Sequence, residues 1–277
     1  MALDAAAYDN LRQIAHKVRT EIITMLHHVQ TGHPGGSLSA VEILTVLYFN
    51  QMRVSCADPE SPGRDRFIAS KGHCAPVVYQ VLCEKGYFPR EELFRLRQLG
   101  GILQGHPDMK KTPGIDMSAG SLGLGLSAGI GMALAGKLDK RDYFTYVLLG
   151  DGELQEGQVW EAAMAAPAFG LDRLIAIVDN NGVQLDGRVD DIMPLGNLAD
   201  KFTAFGWNVM MVDGHDIRSL DVAFDQARKK LQGPTVIIAN TVKGKGVSFM
   251  EGKNEWHGKA ISDELYDQAM AELGGKS

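Results

Sequence analysis

The segment from Tyr143 to Asp179 constrains the fold more than any other. Tyr143–Leu149 (YFTYVLL) is a short apolar run rich in aromatic and branched residues. Gln155–Phe169 has the spacing of a helix, and Leu174–Asp179 (LIAIVD) is a second apolar run. Strand, helix, strand at this spacing is a βαβ unit, and its two strands must lie parallel. Trp207–Val212 and Thr235–Asn240 repeat the strand signal around a helix at Ile217–Leu231. The expectation is an α/β fold, doubly wound, with a mainly parallel sheet flanked by helices. Such sheets bind ligands beyond the carboxyl ends of their strands. The loops after Leu149, Asp179 and Asn240 are therefore where a site is expected.

The first half is less regular. Tyr8–Val29 places Leu11, Ile14, Val18, Ile22, Met25, Leu26 and Val29 at helical spacing. Ser39 followed by Glu42 reads as a capping box opening a helix to about Asn50. Arg66–Ser70 reads as a short strand, Cys74–Glu84 and Glu91–Gln98 as helices, and Asp263–Leu273 as a closing helix. Gly100–Gly120 has little periodicity and reads as a long loop near a site. No internal repeat or linker divides the 277 residues, so one domain spanning 1–277 is expected.

Composition excludes several classes. The net charge of −6 argues against a broad basic face for nucleic acid. Cys56, Cys74 and Cys83 form no CxxC pair, which argues against a disulfide framework or structural zinc. No apolar run is long enough to span a membrane and no secretory leader is legible, so a cytoplasmic location is expected.

Two loops carry chemistry. Gly150-Asp151-Gly152-Glu153 follows one strand and Asp179-Asn180-Asn181-Gly182 the next. Adjacent parallel strands bring them together. A carboxylate and an amide oxygen are hard ligands suited to Mg²⁺ or Ca²⁺. Gly152 leaves room for backbone to approach a ligand, and the N–H groups opening the next helix favour phosphate oxygens. The pair therefore reads as a metal–diphosphate site or, equally, as two turns with helix caps. Among eight histidines, His33, His73, His106 and His215 each follow a glycine and His257 precedes one. His215 reads as a turn residue ahead of a helix.

Gly150-Asp151-Gly152 followed some thirty residues later by Asn180-Asn181 resembles the thiamine diphosphate motif, and Val147–Gly157 resembles transketolase. Further matches run in the family's order. They are Thr31–Gly36, Ser70–His73, Gly105–Pro107, Gly120–Gly125, Lys243–Gly246 and Trp256–Gly258. The resemblance covers almost the whole chain, but only the family's first, diphosphate-binding domain. The pyrimidine-binding and C-terminal domains, with the activating glutamate and the residues that grip a sugar phosphate, have no counterpart here. The chain thus resembles the N-terminal subunit of a split transketolase, or a fragment of a longer one.

The resemblance implies transfer of a two-carbon ketol unit from a ketose to an aldose, with thiamine diphosphate and Mg²⁺ (or Ca²⁺) as cofactors. It implies that His33 and His257 contact the donor's reacting hydroxyls and His106 its C1 hydroxyl. His73, Gly120, Ser121, Leu122, Gly152, Asn181, Lys243 and His257 would contact the cofactor. Asp151, Asn181 and the Val183 carbonyl would hold the metal, and Glu156 would lie at the subunit contact near the activating glutamate. The implied partner is a C-terminal transketolase subunit carrying the pyrimidine-binding domain, two of each chain forming a heterotetramer acting on sugar phosphates or related sugars. Alternatives are a deoxyxylulose-phosphate-synthase-like subunit or a non-catalytic cofactor-binding subunit. Gly123–Ala128 also fits the dinucleotide fingerprint, but no buried strand precedes it. It reads instead as a helix start packed closely on backbone.

Overall fold

A computed structural model describes residues 3–274. The helix α1 (Ala5–Val29) opens the chain, capped by Asp4, whose side chain accepts from the Ala7 N–H. The Gly-His-Pro loop leads into the short helices α2 (Pro34–Leu38) and α3 (Val41–Val46). Then come β1 (Arg66–Ala69), α4 (Ala75–Glu84), α5 (Leu124–Leu138), β2 (Thr145–Gly150), α6 (Gly157–Ala168) and β3 (Leu174–Asn180). The last third holds α7 (Val189–Ile192), α8 (Leu198–Ala204), β4 (Asn208–Asp213), α9 (Ile217–Lys229), β5 (Thr235–Asn240) and α10 (Asp263–Gly274).

The five strands among the described residues are all parallel, in the order β1-β2-β3-β5-β4. Alternation along the strands divides the core in two. Tyr146, Leu148, Ile175, Ile177 and Ile237 face a cluster built with α1, α3, α4 and α9. Val147, Leu149, Ala176, Val178 and Ile238 face the second cluster, built with α5, α6 and α8. β2 is buried along its whole length and β4, at the edge, is half exposed. This is the doubly wound sheet expected from the βαβ spacing. Among the described residues no helix is long and apolar enough to cross a membrane.

The capping box at Ser39 does not form. Ala40 occupies the N-cap of α3 without a side-chain bond, and the helix ends at Val46 before a π-helical turn at Leu47–Gln51. Ser39 Oγ instead donates to Asp179 Oδ2, and Glu42 pairs with Arg19 and His215. Long-range partners outcompete the local cap. The segment expected as a helix at Glu91–Gln98 is a 3₁₀ turn over Arg90–Arg95, after which Arg97 adopts a positive φ of 62°. Gly125 starts α5 where a Cβ would lie 2.4 Å from Ser70 Cβ and 2.8 Å from its Cα. The glycine pattern thus serves close helix packing.

Candidate active site

The carboxyl ends of β1, β2, β3 and β5 converge on a cavity of about 330 Å³. The loop after β1 delivers Lys71 and His73, and the loop after β2 delivers Asp151, Gly152 and Glu153. The loop after β3 delivers Asn181 and Val183, and that after β5 delivers Lys243. His33 enters from the loop before α2, and His106, Gly120 and Leu122 from the long loop before α5. His257 enters from the turn after Trp256. Ser121 is the exception among the expected residues. It lines a neighbouring cavity with Ser70, Met117 and Leu124.

The four histidines cluster around His33, whose ring centroid lies 5.8 Å from His73, 5.7 Å from His106 and 5.3 Å from His257. Neighbouring residues fix the segments that carry His33, His106 and His257. Tyr79 Oη donates to the carbonyls of Gln104 and His106, fixing that loop. Buried Trp256 sets His257, and Ser37 Oγ donates to the His33 carbonyl. Burial, with Arg97, His106 and Lys243 nearby, lowers the His33 pKa to about 4. Burial and Lys243 lower His257 to about 3. His73 and His106 are lowered by burial too. At neutral pH these are neutral imidazoles able to accept a proton.

Asp151 is 3% exposed and, among the described residues, has no side-chain cation at hydrogen-bond distance. Its oxygens accept the N–H groups of Gly152 (2.7 Å) and Gly182. Burial, reinforced by the neighbouring Asp179 carboxylate, raises its pKa to about 6. Asn181 Oδ1 accepts from the Val183 N–H, and the Val183 carbonyl accepts from Lys243 Nζ at 3.1 Å. Among the described residues no group of three or more His, Cys, Asp or Glu is placed around a metal. The candidate set is one carboxylate, one amide and one carbonyl, all oxygen donors, which suits a hard cation. A buried carboxylate held only by neutral N–H groups is stabilised by such a cation, so the residues fit the expected metal.

Lys71 and Lys243 are almost fully buried beside the cavity. Lys71 donates to Asp179 and to the Gly36 carbonyl; Asp179 outweighs the effect of burial and raises the lysine's pKa. Lys243 is lowered to about 8 by burial and by Lys71. Two buried ammonium groups sharing one cavity complement an anion such as a diphosphate. A larger cavity of about 400 Å³ shares Asp151 and Asn181 but, among the described residues, is lined by no lysine, arginine or histidine. Among the described residues, positive charge is therefore concentrated on the histidine side.

Two expectations change in detail. The direction in which a Cβ would project from Gly152 is filled by Gln184 Cβ, 2.9 Å away, so loop packing excludes a side chain there. The Gly152 N–H is engaged by Asp151, and a 3₁₀ turn separates it from α6. Glu156 borders the cavity and is exposed at the start of α6, with Glu161 also exposed one turn on. Three functional candidates escaped the sequence reading. Lys71 lay inside a recognised motif, and Asp179 closed a strand and opened the 179–182 loop, but neither was given a role. Glu153 accepts from two distant groups, Ser70 Oγ and the Gly123 N–H at 2.9 Å, and from the Gly150 N–H three residues before it at 3.0 Å. It ties the glycine loop before α5 to the ends of β1 and β2.

Comparison with known proteins places this geometry. Residues 11–277 match the family described as transketolase, thiamine diphosphate binding domain. The chain is 45% identical over 264 residues to the 6-deoxy-6-sulfo-D-fructose transketolase subunit SqwG of Clostridium sp. (strain MSTE9), covering 95% of this chain and 96% of that protein. It is 42% identical to an apulose-4-phosphate transketolase subunit of Phocaeicola vulgatus, covering 96% and 94%. The crystal structure of transketolase from Campylobacter jejuni superposes with a TM-score of 0.91 at 32% identity. The match takes in 95% of this chain but 42% of that one. The chain belongs to the transketolase family, as its thiamine diphosphate-binding domain.

Proposed function

We propose that the chain is the diphosphate-binding subunit of a thiamine diphosphate-dependent transketolase that transfers a two-carbon ketol unit from a ketose to an aldose. The observation that carries this reading is the convergence of His33, His73, His106 and His257 with Lys71, Lys243 and Asp151 in one cavity. When bound, thiamine diphosphate supplies the carbanion chemistry that breaks and remakes the carbon–carbon bond.

The chain's own residues bind, orient and move protons. Asp151, Asn181 and the Val183 carbonyl would hold Mg²⁺ (or Ca²⁺). Lys71, Lys243 and His73 would hold the diphosphate, with Gly120, Ser121, Leu122 and Gly152 forming the surrounding loops. His33 and His257 are neutral imidazoles and take the proton from the donor's reacting hydroxyl, returning it to the acceptor's new one. His106 orients the C1 hydroxyl.

The residues 1–277 form a single diphosphate-type domain in this reading. The two close relatives are named as subunits. The pyrimidine-binding and C-terminal domains then come from a partner chain, with sugar phosphates or related sugars as substrates.

The test measures ketol transfer by the chain mixed with its pyrimidine-domain partner, and thiamine diphosphate binding by calorimetry in Mg²⁺. Asp151→Ala is expected to abolish both, a loss beyond the roughly 10–100-fold typical of outer-shell metal residues. Asn181→Ala removes a neutral ligand and is expected to act in the same direction but less. Unchanged affinity in both variants would overturn the metal assignment.

A further inference from the structure

Glu42 and His215 lie outside the cavity, and the structure connects them to it. Lys243 reaches the Val183 carbonyl and His257 Nδ1 (3.1 Å each) from the loop 241–246. That loop has no helical or strand ladder of its own, and Gly244 and Gly246 sit at φ 78° and 94°. The Asn180 carbonyl, the Gly252 N–H and the Glu251 carboxylate hold Thr241, Lys243 and Gly246, and three further backbone points are held by α1, α2 and the turn after β4. The Val242 N–H donates to His215 Nε2 at 2.8 Å, and the Gly244 N–H donates to the Gly35 carbonyl at 2.9 Å. The Lys245 carbonyl accepts from Arg19 Nε at 2.9 Å.

Two of these three partners share one carboxylate. Glu42 Oε1 accepts from Arg19 Nη2 at 2.6 Å, and Oε2 pairs with His215 Nδ1 at 2.9 Å. Glu42 is 7% and Arg19 8% exposed. Burying charges carries a desolvation penalty that apolar packing avoids, so the pair is explained by what it holds rather than by stability. The geometry also fixes the imidazole's state. A backbone N–H faces Nε2, so Nε2 presents its lone pair, and the ring proton sits on Nδ1 and is donated to Glu42.

We propose that Glu42, Arg19 and His215 form a positioning relay that sets the 241–246 loop, so that Lys243 and His257 meet the cofactor and substrate. His215 acts through its acceptor nitrogen. The proposal rests on the functional reading of Lys243 and His257 given above.

Two substitutions in the full chain separate the two ring nitrogens. His215→Gln keeps an acceptor near the Nε2 position. His215→Asn keeps only a donor near Nδ1. Amide hydrogen exchange across 241–246 reads the loop without cofactor, and calorimetry with thiamine diphosphate and saturating Mg²⁺ reads the site. Urea unfolding monitors the fold. His215→Asn is expected to speed exchange in 241–246 and weaken cofactor binding by about tenfold, while His215→Gln stays near wild type and both unfold alike. Glu42→Gln, which turns an amide N–H toward one of the two donors, is expected to resemble His215→Asn. Wild-type exchange and affinity in His215→Asn would overturn the relay, as would equal losses in Asn and Gln. A wild-type chain that fails to take up thiamine diphosphate would count against the proposed function, while the exchange data would still decide the relay.

Discussion

His33 stands among three other imidazoles, and that position sets its proton affinity. Its pKa falls from 6.5 to about 4 through burial, aided by Arg97, His106 and Lys243. The unfolded chain therefore binds a proton between these values that the folded chain refuses. Above pH 6.5 neither state is protonated and the effect vanishes. As pH drops from about 6.5 to about 4, the folded state loses stability, and His257 adds a loss of the same sign reaching to about 3. The slope has a ceiling of about 1.4 kcal/mol per pH unit for each histidine, reduced where solvent reaches the ring. Urea midpoints at pH 7, 5.5 and 4.5 are expected to fall more steeply for wild type than for His33→Gln. Parallel curves would show that His33 is not held neutral by its neighbours. The same shift keeps His33 an unprotonated base at neutral pH, which its proposed role requires.

At the scale of elements, β2, β3 and β5 were legible because buried parallel strands read as continuous apolar runs. The ligand loops followed from the strand ends, and the histidine loops from the family resemblance. α5 was not delimited. Its sequence, LGLSAGIGMALAGKL, has almost no polar face to give a period. The capping box failed for the opposite reason: its local pattern was clear, but Ser39 and Glu42 are drawn to partners 140 and 173 residues away. The role of Glu153 was illegible because Ser70 and Gly123 reach it only in the folded sheet. Gly125 joins these elements. Adding a methyl there meets Ser70 backbone and side chain, and Ser70 Oγ is bound to Glu153. Gly125→Ala is expected to lower stability by about 1–3 kcal/mol and to loosen the 120–125 loop. Gly131, on the same helix with nothing within 4 Å of its would-be Cβ, is the control. Gly131→Ala is expected to stabilise by about 0.4–1 kcal/mol. Equal urea midpoints for the two variants would refute the packing role of Gly125.

At the scale of the whole molecule, the site and an apolar face adjoin. Leu122, on the loop that borders the cavity, is 38% exposed, and Leu124, at the start of α5, is 47% exposed. Farther along, Leu138 at the end of α5 is 73% exposed, Met164 within α6 59% and Phe169 just after α6 50%. α5 and α6 pack against each other, so their exposed residues lie on one side of the sheet. A helix apolar on nearly all sides is expected to be covered, and exposed apolar patches of this kind mark interaction surfaces. The Gly123–Glu156 contact joins this face to the cavity rim, since a Cβ on Gly123 would lie 2.8 Å from Glu156 Cβ. A chain docking here would therefore touch the loop that frames the cofactor site as it buries the apolar side chains. The expected assembly is a heterotetramer of two such chains with two pyrimidine-domain subunits, inactive in ketol transfer until both are present. Leu138→Asp and Met164→Asp place charge on exposed positions, so each chain is expected to keep its fold while losing the assembly and the activity together. Mass and sedimentation of the chain with and without the partner decide the matter. A wild-type chain that turns over substrate alone, or that stays monomeric and never co-elutes with a pyrimidine-domain subunit, would rule this assembly out.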